Sequence, residues 1–313
     1  MILYYYVMAN KHSSLIEFLA DYKDEESCRK FFERIRFRNG DYCPHCGNVS
    51  IYRFGGGKRY RCAGCKKDFT IKTGTVFGES KISLRKWFIA IYLLTTCRKG
   101  ISSVQLAKQV GVTQKTAWFM DHRIRKAMKQ GRGQLFGIVE ADETYVGGKE
   151  KNKHHSKRVT GTRGRSTETK TPVFGLLQRG GEIRATVLPD ARMRTIEQQL
   201  AEHVQIGAQI YTDDFASYYR LSKWYGHQKT QHSIGQYVRP GGIHSNTTES
   251  FWALFKRGYV GIYHWMSRKH LQRYVDEFAF RFNTRETAFP DVFANMVHNV
   301  AESRRLSHKA LIA

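Results

Sequence analysis

The chain has 313 residues and carries 52 Lys and Arg against 27 Asp and Glu, a formal net charge of +25 at pH 7. Its hydrophobic fraction of 41% is ordinary for a globular protein and allows one sizeable core plus one or two small modules. No stretch approaches the roughly 20 apolar residues of a bilayer span, which argues against a membrane role, and most of the positive excess falls between residues 29 and 170. A focused charge of this kind points to a polyanion, because each neutralised phosphate releases condensed counterions.

The opening MILYYYVMA is apolar but short and has no basic n-region or evident cleavage site. It reads as part of a small N-terminal extension over residues 1–28, with Met8 a second candidate start. The six cysteines are too few and too clustered for a secreted disulfide scaffold. A reducing cytoplasm is the expected compartment.

Four of those cysteines form Cys43-Pro-His-Cys46 and Cys62-Ala-Gly-Cys65. Each CxxC turn lets two thiolates converge on one ion, and the separation suits a hairpin through Gly55-Gly56-Gly57, giving a tetrahedral four-cysteine site for structural Zn2+. His45, inside the first turn, is an alternative ligand, and a redox CxxC is an alternative use. Cys28 and Cys97 read as core thiols. This module, residues 29–80, carries Arg53, Lys58, Arg59, Arg61, Lys66 and Lys67 among Tyr52, Tyr60 and Phe69, a mixture suited to nucleic-acid backbone or to a solvated face with core aromatics.

Residues 81–132 read as helical. Ser83 caps a helix with Trp87, Ile91 and Leu94 on its apolar face. Ser102 or Ser103 then caps a short helix, Gly111 makes a turn, and Thr113 caps a second helix running to about Lys129. This is a helix-turn-helix pattern whose second helix presents Gln114, Lys115, Arg123 and Lys126 outward to double-stranded DNA. Plain helical packing is the other reading of the same pattern.

The period then changes. Residues 135–142 read as a strand, 147–171 as a basic insertion too polar to bury itself, and 173–178 with 182–188 as a hairpin. Thr195 begins a helix through Ile196, Leu200 and Val204. Residues 209–212 form another strand, and a helix follows from Thr247 to about Arg257. Strands, a helix, a strand and later helices give an α/β order over residues 133–313, in which strand ends present side chains at a sheet edge.

Three acidic positions stand out on these elements. Asp142 is taken at the end of its strand, with Glu140 and Glu143 as rivals; Asp213 ends the next, with Asp214 read as a cap. Glu249 opens the later helix, where Asn246-Thr-Thr-Glu249 also resembles a capping box, and Lys256 lies two turns further along the same face. Three carboxylates in a basic chain fit a divalent-metal site acting on phosphodiesters, with the lysine on phosphate. Downstream, Ser267 caps a helix with Leu271, Val275, Phe278 and Phe282 as core, and Arg281 and Arg285 are candidates to face DNA.

The stretches VEADETYVGGK, IYTDDFASYY and HSNTTESFWALFKRGYVGIYH, followed by SRKHLQRYVDEFAFRFNTRE, resemble the ISXO-like transposases of bacterial insertion sequences. The resemblance covers roughly residues 25–313. It implies a zinc ribbon, then a DDE catalytic domain of ribonuclease-H-like fold, with Asp142, Asp213, Glu249 and Lys256 on the family's catalytic positions. Some relatives place an asparagine third, so Asn246 competes with Glu249. The implied activity is cleavage at the ends of the element and transfer of the freed 3′-OH to target DNA, using two Mg2+ or Mn2+ ions. The implied partners are transposon ends and target DNA, bound by a nucleoid-associated homo-oligomer. A zinc-ribbon regulator with an inactive nuclease fold, or a structure-selective DNA nuclease, are the alternatives.

Overall fold

A computed structural model describes residues 14–128, 131, 133–148, 150–159, 166–213, 215–230 and 238–312. Residues 1–13, Asp214 and a good part of the basic insertion, namely 149 and 160–165, lie outside the described residues. The chain folds as two compact units: Met1–Lys129 with Glu286–Ala313, and Gln130–Arg285.

The first unit opens with α1 (Leu15–Asp21) and α2 (Glu25–Arg36), so residues 14–28 belong to a folded core rather than to an extension. Asp24 begins α2 with a reciprocal capping box to Ser27, a local signal strong enough to start a helix here. A three-stranded ribbon follows, β1 (Ile51–Phe54), β2 (Arg59–Cys62) and β3 (Asp68–Phe69), antiparallel in that order. Then come α3 (Leu84–Thr96), α4 (Ser103–Val110) and α5 (Gln114–Ala127), capped by Ser83, Ser102 and Thr113 as the sequence predicts. Gly111 ends α4 at φ 67°, a left-handed conformation that favours glycine.

Two features differ from expectation. Helix α9 (Phe289–Glu302) returns to this unit, where the Phe293 ring packs among Phe18, Tyr22, Phe31 and Phe88. The boundary of the second unit therefore falls before residue 286, not at residue 313. Secondly, the far half of α5 is covered. Arg123 is buried, donates from Nε to the Leu306 carbonyl at 3.0 Å and stacks on Phe119, while Lys126 bonds to the Arg305 carbonyl. Gln114 and Lys115 remain exposed.

The second unit is a five-stranded sheet of order β6-β5-β4-β7-β8. Strands β4 (Ile138–Val146), β5 (Thr171–Gln178) and β6 (Ile183–Val187) form an antiparallel meander. Helix α6 (Met193–His203) crosses to β7 (Gln209–Thr212), which runs parallel to β4, and β8 (Gly226–Lys229) adds in parallel outside it. An antiparallel triplet extended by two parallel strands is the ribonuclease-H-like arrangement.

Each face of this sheet has its own core. On one, Val139, Ala141 and Ile210 meet Ile196 and Leu200 of α6. On the other, Val173, Leu177 and Ile183 meet Phe251, Trp252 and Phe255 of α7 (Asn246–Gly258) and Val275 and Phe278 of α8 (Leu271–Asn283). Arg281 of α8 is buried there in an ion pair with Glu277, so it does not face DNA; Arg285 is exposed.

Gly175 of β5 sets how closely α7 approaches, because a Cβ there would lie 2.6 Å from Trp252 Cζ2. Gly175→Ala is expected to destabilise the second unit by about 1–3 kcal/mol through overpacking. Urea unfolding would check this; a loss below measurement error would mean that Trp252 yields without cost.

Candidate active site and cysteine cluster

Alternation along β4 sorts its acidic residues. Val139, Ala141 and Glu143 turn toward the α6 face; Glu140 and Asp142 turn toward α7. Strand β4 runs on to Val146, so Asp142 sits mid-strand, opposite Gly175, and not at a strand end. The expectation of an opened strand terminus is thus incorrect. Across from it Gly175 offers no side chain, and Trp252 of α7 takes up that space.

Asp213 follows directly on β7, and its Oδ1 accepts the Phe215 amide at 3.0 Å. The parallel register pairs Glu140 with Tyr211, so Asp213 stands two residues past Tyr211 just as Asp142 stands two past Glu140. Glu249 is exposed in the first turns of α7, and its amide bonds to the Ser245 carbonyl. Burial pushes the Asp142 carboxyl up to about 7, reinforced by the charges of Glu143 and Asp213 and less strongly by Glu249; the Glu143 amide, donating at 2.9 Å, acts in the opposite sense. Residues far apart in sequence therefore share one electrostatic environment. Hard oxygen donors whose charges press on a half-buried carboxyl are a set that a divalent cation fits.

The rivals are occupied elsewhere. Glu143 accepts the Tyr218 hydroxyl at 2.6 Å within the α6-side core. Glu140, fully buried, accepts the Thr247 and Thr248 amides at 3.0 and 3.1 Å and the Thr247 hydroxyl at 3.0 Å. It is thus the cap of α7, a role that sequence inspection missed; the signal available was Glu140 lying two residues before Asp142, on the same strand face. Ser245 occupies the N-cap position without a side-chain bond, and Glu249 lies one residue beyond the position a capping box requires. Asn246 is the exposed first residue of α7, and Lys256 is exposed two turns beyond Glu249.

In the first unit the sulfurs of Cys43, Cys46, Cys62 and Cys65 all lie within 4.8 Å of one another, the one group of three or more candidate metal ligands so close together among the described residues. Cys43 and Cys65 are 3.8 Å apart and Cys46 and Cys62 3.6 Å. Four sulfurs each about 2.3 Å from a tetrahedral zinc ion stand about 3.8 Å apart, so the cluster has the right size. His45 is exposed against Phe69, and Tyr60 stacks on Phe69 as ribbon core. Of the ribbon's basic residues, Arg53 is held by Asp41 and Glu33, whereas Lys58, Arg59, Arg61, Lys66 and Lys67 are exposed. Cys28 is buried and Cys97 half-buried.

A ribonuclease-H-like sheet bearing acidic residues on neighbouring strands, in one chain with a four-cysteine ribbon, fits more than one class of DNA-processing protein. Sequence comparison specifies which. Residues 134–283 match the ISXO2-like transposase domain and residues 23–68 the transposase zinc-ribbon domain. A protein of Halobacterium salinarum, described as an uncharacterized protein in transposable element ISH50, is 36% identical over 272 residues, 82% of this chain and 90% of its own length. The chain belongs to the ISXO2-like transposase family. Among solved structures, a pre-cleavage Mos1 transpososome matches at 15% identity over 69% of this chain and 75% of its own, with a TM-score of 0.28. A simian T-cell lymphotropic virus intasome matches at 14% over 59% of this chain and 66% of its own, with a TM-score of 0.25.

Proposed function

We propose that this transposase binds the ends of its insertion sequence and catalyses metal-dependent DNA strand cleavage followed by strand transfer, as a homo-oligomer that pairs two ends. The observations that support this reading are that Asp142 lies on β4 and Asp213 directly follows the neighbouring parallel strand β7, and that the charges of Asp213 and Glu249 both act on the Asp142 carboxyl, in a chain of net charge +25. These three carboxylates would hold two Mg2+ or Mn2+ ions, which supply activation of the attacking oxygen and charge neutralisation at the scissile phosphate. The protein's own part is placement. Asp142 is fixed by strands on both sides, Asp213 by its turn, and Glu249 by a helix whose first amides are tied to β4. Lys256, exposed two helical turns from Glu249, would take a phosphate oxygen.

Recognition falls to the first unit, through the exposed ribbon lysines and arginines and through Gln114 and Lys115 at the start of α5. The ribbon would hold one structural Zn2+ on Cys43, Cys46, Cys62 and Cys65 in place of a hydrophobic core. Elemental analysis should find one zinc per chain, and Cys62→Ser should lose it together with end binding. Full zinc occupancy in that variant would overturn the ligand assignment.

The test of the whole reading is cleavage of a labelled end fragment with Mg2+ or Mn2+, beside a gel shift of the same fragment. End binding without cutting would favour a DNA-binding regulator. Cutting of branched DNA regardless of terminal repeats would favour a structure-selective nuclease.

A further inference from the structure

We propose that Glu140 and Arg179 are a positioning pair that sets α7, and with it Glu249, against Asp142; this rests on the metal-site reading above. Arg179 comes from the turn between β5 and β6 and spends every donor group on this junction. Its Nε donates to Glu140 at 2.9 Å, Nη1 to the Gly242 carbonyl at 2.7 Å and Nη2 to the His244 carbonyl at 2.9 Å. The guanidinium also lies over the Tyr211 ring, 4.8 Å from its centroid, two residues before Asp213. One side chain thus touches the strand of Asp142, the strand of Asp213 and the segment that leads into the helix of Glu249.

A buried ion pair is a poor way to stabilise a fold, since apolar side chains of similar size usually do as well or better. Ser245 stands at the capping position of α7 but its side chain makes no bond there, so the first amides of the helix are satisfied from β4 instead. What Glu140 adds is long-range specificity. Because the cap resides on β4, α7 can start only where Glu140 is, two residues from Asp142 and on the same strand face. Arg179 balances the charge, so that the cap does not add an uncompensated negative group to the acidic site. His244 closes the arrangement, its Nδ1 lying 3.5 Å from Glu140 and accepting the Asn246 amide.

The experiment compares Glu140→Gln and Arg179→Lys with wild type in the full chain. Five quantities are read: melting temperature, hydrogen exchange of α7, Mn2+ uptake by electron paramagnetic resonance, single-turnover end cleavage, and end-DNA affinity. Glu140→Gln keeps the shape but loses the charge that two amides and a guanidinium share. It should speed exchange in the first turn of α7 and weaken Mn2+ uptake and cleavage each about 10- to 100-fold, as loss of an outer support does, with end binding unchanged. Arg179→Lys keeps a charge for Glu140 but lacks the planar fork whose three nitrogens each reach a separate acceptor, and should show a smaller loss of the same pattern. Cleavage and Mn2+ uptake at wild-type level in both variants would overturn the proposal. So would a parallel fall of melting temperature, end binding and cleavage, which marks a purely structural pair. Wild-type protein that takes up no Mn2+ would remove the metal reading instead, and exchange in Glu140→Gln would then decide the clamp alone.

Discussion

Asp142→Asn is expected to bind element ends as wild type does and to cut them at least ~1,000-fold more slowly, a loss of about 4 kcal/mol of transition-state stabilisation. The substitution keeps size and shape and removes the charge a hard cation needs. Cleavage of a labelled end fragment, read beside its gel shift, separates the two effects. Full cutting by the variant would end the metal-site reading. Glu249→Gln should behave alike; a residue serving only as a helix cap would cost about 1 kcal/mol of stability and leave cutting intact. Lys256→Ala should reduce cutting less than either carboxylate change, since in the proposed site it would position phosphate and hold no metal.

The same carboxyl fixes a pH dependence. Its folded-state pKa of about 7 is raised, so its contribution to metal-free stability is complete below the unfolded value near 4 and is lost as pH rises through 7. A cation must displace that proton below pH 7 and meets a bare carboxylate above it. Stabilisation by Mg2+ in a thermal melt should therefore be larger at pH 8 than at pH 6, and Asp142→Asn should flatten the difference. An equal gain at both pH values would contradict this.

Phe293→Ala is expected to cost the first unit about 3–5 kcal/mol, the range for truncating a buried aromatic residue. Its ring is fully buried and meets Phe18, Phe88 and Tyr22 at centroid distances of 5.0, 5.3 and 5.4 Å. Urea unfolding of the zinc-loaded protein measures the loss, and a value under about 1 kcal/mol would show that α9 is dispensable to this core. Zinc should stay bound near neutral pH without denaturant, because the four sulfurs lie outside that ring cluster.

Local signals carried much of this fold. Ser83, Ser102 and Thr113 cap where the sequence places them because each bonds an amide three residues on, within its own turn. The strand over residues 209–212 was legible for the same kind of reason. Asp142, Asp213 and Glu249 stand out because each sits in an acidic motif of a basic chain, and their metal role is the part proposed above. What escaped depends on partners distant in sequence. Arg123 reads as outward by helical period, and only the carbonyl of Leu306 shows why it turns inward. Arg281 is likewise claimed by Glu277 inside an apolar core. Arg179 reads as an ordinary turn residue until the turn is seen beside the entry to α7, and Glu140 as a possible ligand until two amides from α7 occupy it.

The return of α9 sets an order of assembly on the ribosome. Every strand of the catalytic sheet, and the helices covering it, are synthesised before Phe293 emerges, whereas the aromatic core of the first unit needs that residue. Units form as their last contact leaves the exit tunnel, and usually the earlier in sequence forms first. Here the sequence-distal half is ready first. A released polypeptide truncated between residues 286 and 293 would have the sheet that carries Asp142 and Asp213 complete and the aromatic core of the ribbon-bearing unit unfinished, so under the function proposed above the order of synthesis puts the cutting half ahead of the half that would choose where.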